Sequence, residues 1–299
     1  MVNPQLWPST APTALDYFRA LVASDTDLPL LEAAASVAQD NEPQLDVEAF
    51  LAEVELLAQT VRKRLPVDAP SLYQLHTLNQ YFFRELGFSG NLNNYYEPEN
   101  SHLHQVLRRR RGIPITLALL YTELAQYMGL KARGVSFPGH FLVKVSLTHG
   151  EKRGDVVMDP FSGLSLNSET LEEMLLPYKR QHQELEQAQI PLEFFLRPAS
   201  ARDILARLLR NLKEIYRSRQ DWASLLAVSD RLVILLPEVA EERRDRAVAL
   251  EALGCWSQAA HDIQSYLTLM GDRGADPQFD ALRTRLSALR GGGADPDKA

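Results

Sequence analysis

Thiols are almost absent from this chain. Cys255 is the single cysteine in 299 residues, which excludes an internal disulfide framework and any thiolate-based metal site. Basic charge is also in deficit: 32 Lys and Arg stand against 39 Asp and Glu, for a net charge of −7 and a pI near 5.6. A field of that sign argues against nucleic acid as the main partner. Long apolar runs are missing too, since none reaches the roughly 20 residues needed to span a bilayer. The opening stretch "MVNPQLWPSTAPTALDYF" lacks the basic and apolar segments of a secretory signal. The expectation is a cytoplasmic protein without a cofactor or a bound metal. What remains is an ordinary globular composition, 45% hydrophobic and 24% charged, long enough for one large or two medium domains.

Residues 13 to about 86 read as helices. "TALDYFRALVAS", "LPLLEAAASVAQD" and "DVEAFLAEVELLAQTVRKRL" carry apolar residues three and four apart. Asp46 is placed to cap the third, and Pro66 closes it. "SLYQLHTLNQYFFREL" is a fourth amphipathic helix, ended by Gly87. "GFSGNLNNYYEPENS" is rich in Gly, Asn and Pro and reads as an ordered loop. Asn100 or Ser101 is positioned to cap a short helix through "HLHQVLRRRR". A largely apolar helix follows Gly112 and ends at Gly129. "ARGVSF", "GHFLVKVSL" and "GDVVMDPF" are short β-rich pieces that predict a small antiparallel sheet, with one strand starting at His140 and another ending at Asp159. The fold class is α+β, helices first and sheet after.

From about residue 198 the pattern is purely helical and repeats. Trp222 and Trp256 open equivalent segments thirty-four residues apart, with Leu225 matching Ala259 and Leu226 matching Ala260. A helix pair at that spacing is the tetratricopeptide period. Two repeats and a last helix, "PQFDALRTRLSAL", form a short array. The domain reading is 1–197, then an all-α module over 198–290, then a polar tail over 291–299 expected to be disordered.

"GNLNNYYEPENS", "RRGIPI", "FPGHF" and "DPFSG", in this order, resemble the core of the SirB-type family, in which a transglutaminase-like domain precedes tetratricopeptide repeats. The resemblance spans about residues 30 to 275 and implies a papain-like core. In active transglutaminase-like domains a Gly-x-Cys pattern opens the core helix, and His and Asp come from the next two strands. By resemblance, Gly112, His140 and Asp159 match the glycine, histidine and aspartate. The cysteine position falls on Pro114. Proline has no nucleophilic atom, yet it suits a first helical turn, where its missing N–H is not needed. Cys255 lies in the second repeat and is no substitute.

Other residues near that pair carry chemistry of their own. Thr116 and Ser101 carry hydroxyls near the helix start; their ordinary roles are satisfying backbone groups and capping. His102, His104 and His140 suggest a metal site, but alternate residues on a helix point about 200° apart and do not converge on one ion. Arg108 to Arg111 are suited to clamping an anion, with Arg109 and Arg110 the candidates and at least one arginine expected inward against Glu97, Glu99 or Asp159. Tyr95 and Tyr96 are placed to line a cleft, whereas Phe82 and Phe83 are expected in the core. The expectation is a non-enzymatic interaction or regulatory protein, binding a peptide or protein through its inherited cleft (Tyr95, Tyr96, Asn100, Arg109, Arg110, His140, Asp159) or its repeats (Trp222, Trp256). The alternative is a hydrolase or amidase in which His140 and Asp159 activate water.

Overall fold

A computed structural model describes residues 12–150, 152–182, 190–271 and 277–291. Of the tail expected to be disordered over 291–299, Gly291 is the last residue of the final helix, and the segment from 292 onward lies outside the described residues. Helices α1 (Ala14–Leu21), α2 (Leu30–Ser36), α3 (Val47–Arg62) and α4 (Ser71–Asn79) come first, and α4 runs on into a wider helical turn over Gln80–Glu85. Asp46 caps α3 as the sequence predicts, accepting from the Ala49 N–H at 2.9 Å. Next come β1 (Ser89–Gly90), α5 (Leu103–Arg109), β2 (Arg111–Gly112) and α6 (Pro114–Tyr127). Strands β3 (Lys131–Val135), β4 (Leu142–His149), β5 (Lys152–Asp159) and β6 (Leu164–Leu166) form one antiparallel sheet in that order. Helices α7 (Ser168–Gln181) and α8 (Leu192–Phe195) follow. The helical stretch is α9 (Ala201–Arg219), α10 (Trp222–Leu235), α11 (Ala240–Ala252), α12 (Trp256–Met270) and α13 (Pro277–Gly291).

These elements divide into two compact units that interleave along the chain. Residues 29–38 and 45–208 form the α+β unit. At its centre is α6, whose Leu117, Leu120 and Leu124 are buried together with most of the helix from Pro114 to Ala125. The antiparallel register places Val143 opposite Met158 and Val145 opposite Val156. A separate apolar cluster joins Val135, Phe137, Leu142 and Val157 to Leu171 and Leu175 of α7. Phe82 is completely buried, stacked on Phe88 at 4.3 Å and edge-on to Tyr121 at 5.4 Å. It is a core residue, as expected.

The second unit comprises residues 1–28, 39–44 and 209–299. Trp222 and Trp256 are the first residues of α10 and α12, and Leu225 and Ala259 one turn on are both fully buried. The thirty-four-residue equivalence is therefore structural. The sequence reading grouped the first helix with the α+β part, but α1 belongs here with the repeat helices. Phe18 of α1 is fully buried, and the Arg231 guanidinium of α10 lies 4.7 Å from its ring centre. Arg231, itself fully buried, grips Asp40 through two bonds of 2.7 Å each. This two-pronged geometry is the strong form of the arginine–carboxylate pair.

A buried cation stripped of its partner carries its full desolvation penalty. Asp40→Ala is therefore expected to destabilise the protein by about 3–5 kcal/mol, read as a lowered urea midpoint. Asp40→Glu should restore part of the loss. A midpoint unchanged in Asp40→Ala would show that the pair does not hold this unit together.

Candidate functional site

The site is assembled at the buried start of α6. The first N–H groups of a helix lack intrahelical acceptors, and Pro114, at the first helical position, removes one such donor. Thr116, fully buried, accepts the Ile113 N–H at 3.2 Å, and its hydroxyl lies 2.8 Å from the Asn100 carbonyl and 3.0 Å from that of Ile113. Thr116 is thus a structural fastening, and its hydroxyl is not presented for attack. Gly112 is required beside it, because a Cβ there would stand 2.8 Å from the Thr116 oxygen and 2.9 Å from Val106.

The loop before α5 is held by Asn100. Its amide nitrogen donates to the carbonyls of Asn94 at 2.6 Å and Tyr95 at 3.2 Å, and its oxygen accepts from Asn91 at 3.0 Å. Asn100 was a ligand-binding candidate; at 1% exposure its side chain is engaged inside the loop instead. Neither Asn100 nor Ser101 caps α5. A short helical turn over Pro98–Asn100 carries the chain past them, and the cap position falls on His102. The Ser101 hydroxyl is buried with no hydrogen-bond partner among the described residues.

His140 does not begin the strand, as the sequence suggested. It ends a Pro–Gly turn two residues before β4, with its N–H donated to the Phe137 carbonyl at 3.1 Å. Its Nε2 lies 2.8 Å from Asp159 Oδ1. Asp159, the last residue of β5, is fixed by its own turn: Oδ1 accepts the Phe161 N–H at 2.9 Å and Oδ2 the Ser162 hydroxyl at 2.7 Å. No hydrogen bond to His140 Nδ1 is formed among the described residues. The Phe161 ring is seated over Gly90, where a Cβ would come within 2.4 Å of it, and the Gly90 N–H donates to the Phe161 carbonyl at 2.9 Å.

Rings then connect the loop to the pair. Tyr96 meets Tyr95 edge-on at 5.2 Å, Tyr95 meets Phe161 at 6.0 Å, and Phe161 stands edge-on to His140 at 6.3 Å. Tyr95 is 39% exposed and Tyr96 75%. Beside the Asp159 turn is a hollow of about 390 Å³ whose lining includes His76, Phe83, Ser89 and Ser162.

The arginine run does not converge on this pair. Arg109 reaches Glu97 only at 3.7 Å, with both side chains substantially exposed, which makes it a weak surface pair. Arg110 adopts a left-handed backbone at the end of α5 and lays its guanidinium 4.7 Å from the Phe88 ring centre. Arg111 donates to the carbonyls of Gly87 and Arg110. None of the four pairs with Asp159. His102 and His104 have ring centres 6.2 Å apart, and no group of three His, Cys, Asp or Glu suited to a metal occurs among the described residues. Trp222 and Trp256 lie in the repeat unit, Trp256 at 47% exposure.

One residue escaped the sequence reading. Arg207, in α9, donates to Ser136 Oγ at 2.7 Å and to the Phe137 carbonyl at 3.0 Å, and so holds the turn that carries His140. Nothing in an amphipathic helix sixty-seven residues downstream signals that contact.

Comparison with known proteins agrees with this architecture. Residues 48–210 match the transglutaminase-like superfamily and residues 212–287 the tetratricopeptide repeat. A UPF0162 protein of Xylella fastidiosa (strain Temecula1) is 39% identical over 248 residues, covering 82% of this chain and 85% of that protein. A UPF0162 protein of Vibrio cholerae is 26% identical over 262 residues, covering 88% and 93%. F-box only protein 21 of Mus musculus is 43% identical over 70 residues, 23% of this chain and 11% of that protein. No solved structure matches. With its loop, helix, His–Asp pair and repeats in this order, the chain belongs to the SirB-type, UPF0162 family, a transglutaminase-like domain followed by tetratricopeptide repeats.

Proposed function

We propose that this is a non-enzymatic interaction protein of the cytoplasm, which receives a peptide segment of a protein partner at the His140 turn and offers its repeats as a second surface. The observation that carries this reading is Pro114 at the first turn of α6, where the resemblance puts the nucleophilic cysteine, while His140 and Asp159 still pair at 2.8 Å. Thiol acyl transfer needs a thiolate, and the lone Cys255 belongs to the repeat unit. Binding needs only a preformed site with a few placed polar and aromatic groups. Tyr95, Tyr96 and Phe161 supply the aromatic groups, and the exposed Trp256 supplies an anchor of the kind enriched at interfaces.

A second reading is favoured by one feature. His140 is oriented through Nε2 and leaves Nδ1 without a partner among the described residues, the arrangement of a base positioned by a carboxylate. Under that reading the pair activates water, and hydrolase or amidase turnover disappears in His140→Ala.

Quantitative affinity capture from the native host separates these readings, using full-length wild type, His140→Ala and Trp256→Ala, each checked by circular dichroism. Loss of a partner in His140→Ala alone assigns it to the His140 turn. Loss in Trp256→Ala alone assigns it to the repeats. If both variants keep every partner of the wild type, the assignment of binding to the His140 turn and to Trp256 fails.

The pair also sets a pH dependence. Burial disfavours the Asp159 carboxylate, but hydrogen bonds from His140 and Ser162 outweigh burial and hold its pKa below the ordinary 3.8. A carboxyl lowered by folding contributes stability above its unfolded value and loses it as pH falls through the folded value. Asp159→Asn is therefore expected to lower the urea midpoint at neutral pH and to flatten the decline that wild type shows below about pH 4. Parallel curves for the two proteins from pH 7 to about 3 would show that Asp159 adds no charge-dependent stability.

A further inference from the structure

Arg207 is fixed along one edge and forms no hydrogen bond along the other among the described residues. Its Nη1 holds Ser136 Oγ and the Phe137 carbonyl, and His140 donates its N–H to that same carbonyl. Its guanidinium carbon is 5.5 Å from the Phe141 ring centre. No carboxylate among the described residues pairs with it, and its Nε and second terminal nitrogen form no hydrogen bond among them. Arg231, Arg246 and Lys213, also withdrawn from solvent, have acidic partners at 2.6–2.8 Å, whereas Arg207, like Arg110 on Phe88, has none among the described residues. A half-buried cation with no counter-ion is costly to keep. Burial lowers the pKa of Arg207, opposed only by the negative charge that Tyr95 would carry if ionised. Burial and the neighbouring Tyr96 raise the pKa of Tyr95, so at neutral pH its hydroxyl keeps its proton and can donate.

We propose that the open edge of Arg207 and the Tyr95 hydroxyl form a carboxylate-binding position beside His140, which takes the free C-terminus or an Asp or Glu side chain of a peptide. A guanidinium presents paired donors in the geometry of a carboxylate, which a lysine does not. Phe161, between Tyr95 and His140 in the chain of rings, gives the adjoining part of the peptide an apolar wall. This assignment rests on the reading that a partner enters at the His140 turn, and it names the group recognised there. An arginine acting only as a strut for the turn needs no more than the Nη1 edge.

The test is a ¹H–¹⁵N NMR titration of the full-length protein, following backbone amides and the arginine Nε–H signals. Three probes are used: N-acetyl-trialanine with a free carboxylate, the same peptide amidated, and amidated N-acetyl-Ala-Glu-Ala. Saturable shifts of the Arg207 Nε–H and the His140 amide are expected with a carboxylate-bearing probe, and about tenfold weaker binding with amidated trialanine. Response to the free acid alone identifies a C-terminus, response to the glutamyl peptide alone identifies a side chain, and response to both supports the shared chemistry. Arg207→Gln should abolish the preference for carboxylate while amides distant from the turn keep their positions. If that variant disturbs the whole spectrum, Tyr95→Phe, which keeps the ring, carries the test by a weakened preference. Equal shifts from acid and amide overturn the carboxylate assignment and leave the peptide-binding reading standing. No shift at His140 or Phe161 from any probe overturns both.

Discussion

A helix that begins inside a protein must have its first N–H groups satisfied by something other than water. The α+β unit is organised around that constraint, because α6 is buried from its first residue. Pro114 eliminates one donor, and Thr116 takes the Ile113 N–H while its hydroxyl engages the backbone. The hydroxyl reaches the Asn100 carbonyl, so the 91–100 loop must fold against the helix start, and the Asn100 amide fixes the path of the chain through Tyr95. The parallel pairing of Gly90 with Gly112 then seats Phe161, whose N–H orients Asp159, which in turn orients His140. Each link is a backbone or hydrogen-bond requirement, and the last link is the His140–Asp159 pair.

This hierarchy explains how the His140–Asp159 pair is held with proline, and no thiol, at the start of α6. A cysteine at the start of α6 would exploit the helix field to hold a thiolate, but it is not needed to build the helix start. Proline satisfies the local rule at least as well. The His–Asp pair is supported from the β5–β6 turn and the Phe137 carbonyl, neither of which depends on a side chain at position 114. Under the proposal made above, proline at position 114 removes one chemical step and leaves the surrounding surface for recognition.

The repeat unit is held by a different means. Its apolar cluster joins the small Ala247, Ala259 and Ala260 to Leu250, Ile263 and Leu286, and charged pairs link its helices beside that cluster. Lys213 bridges Glu242 and Asp245 at 2.7 and 2.6 Å, and Arg246 joins Asp262 and Asp230 at 2.6 and 2.8 Å. Buried pairs of this kind add little net stability over apolar packing, but a misplaced partner is severely penalised. They select one register between neighbouring helices. Two repeats alone bury a small core; α1 and residues 39–44 enlarge it through Phe18 and Asp40.

What the sequence made legible was set by near neighbours. The apolar stripes of the helices, the Asp46 cap, the short β-rich segments and the thirty-four-residue recurrence of tryptophan all arise from periodicity or from bonds spanning a few residues. The features that escaped depend on long-range contacts. Arg231 meets Asp40 across 191 residues, and Arg207 meets Ser136 and Phe137 across 71 and 70. In the sequence Arg207 is one of several arginines on an amphipathic helix, and Asp40 a polar residue at a helix end. Asn100 illustrates the opposite error. The sequence reading counts it with the cleft residues, yet a loop packed against a buried helix start has carbonyls of its own to satisfy, and the Asn100 amide is drawn inward. Polar residues in such a loop are divided between holding it and serving a ligand by burial: Asn100 is 1% exposed and Tyr95 39%, a distinction that local sequence does not encode.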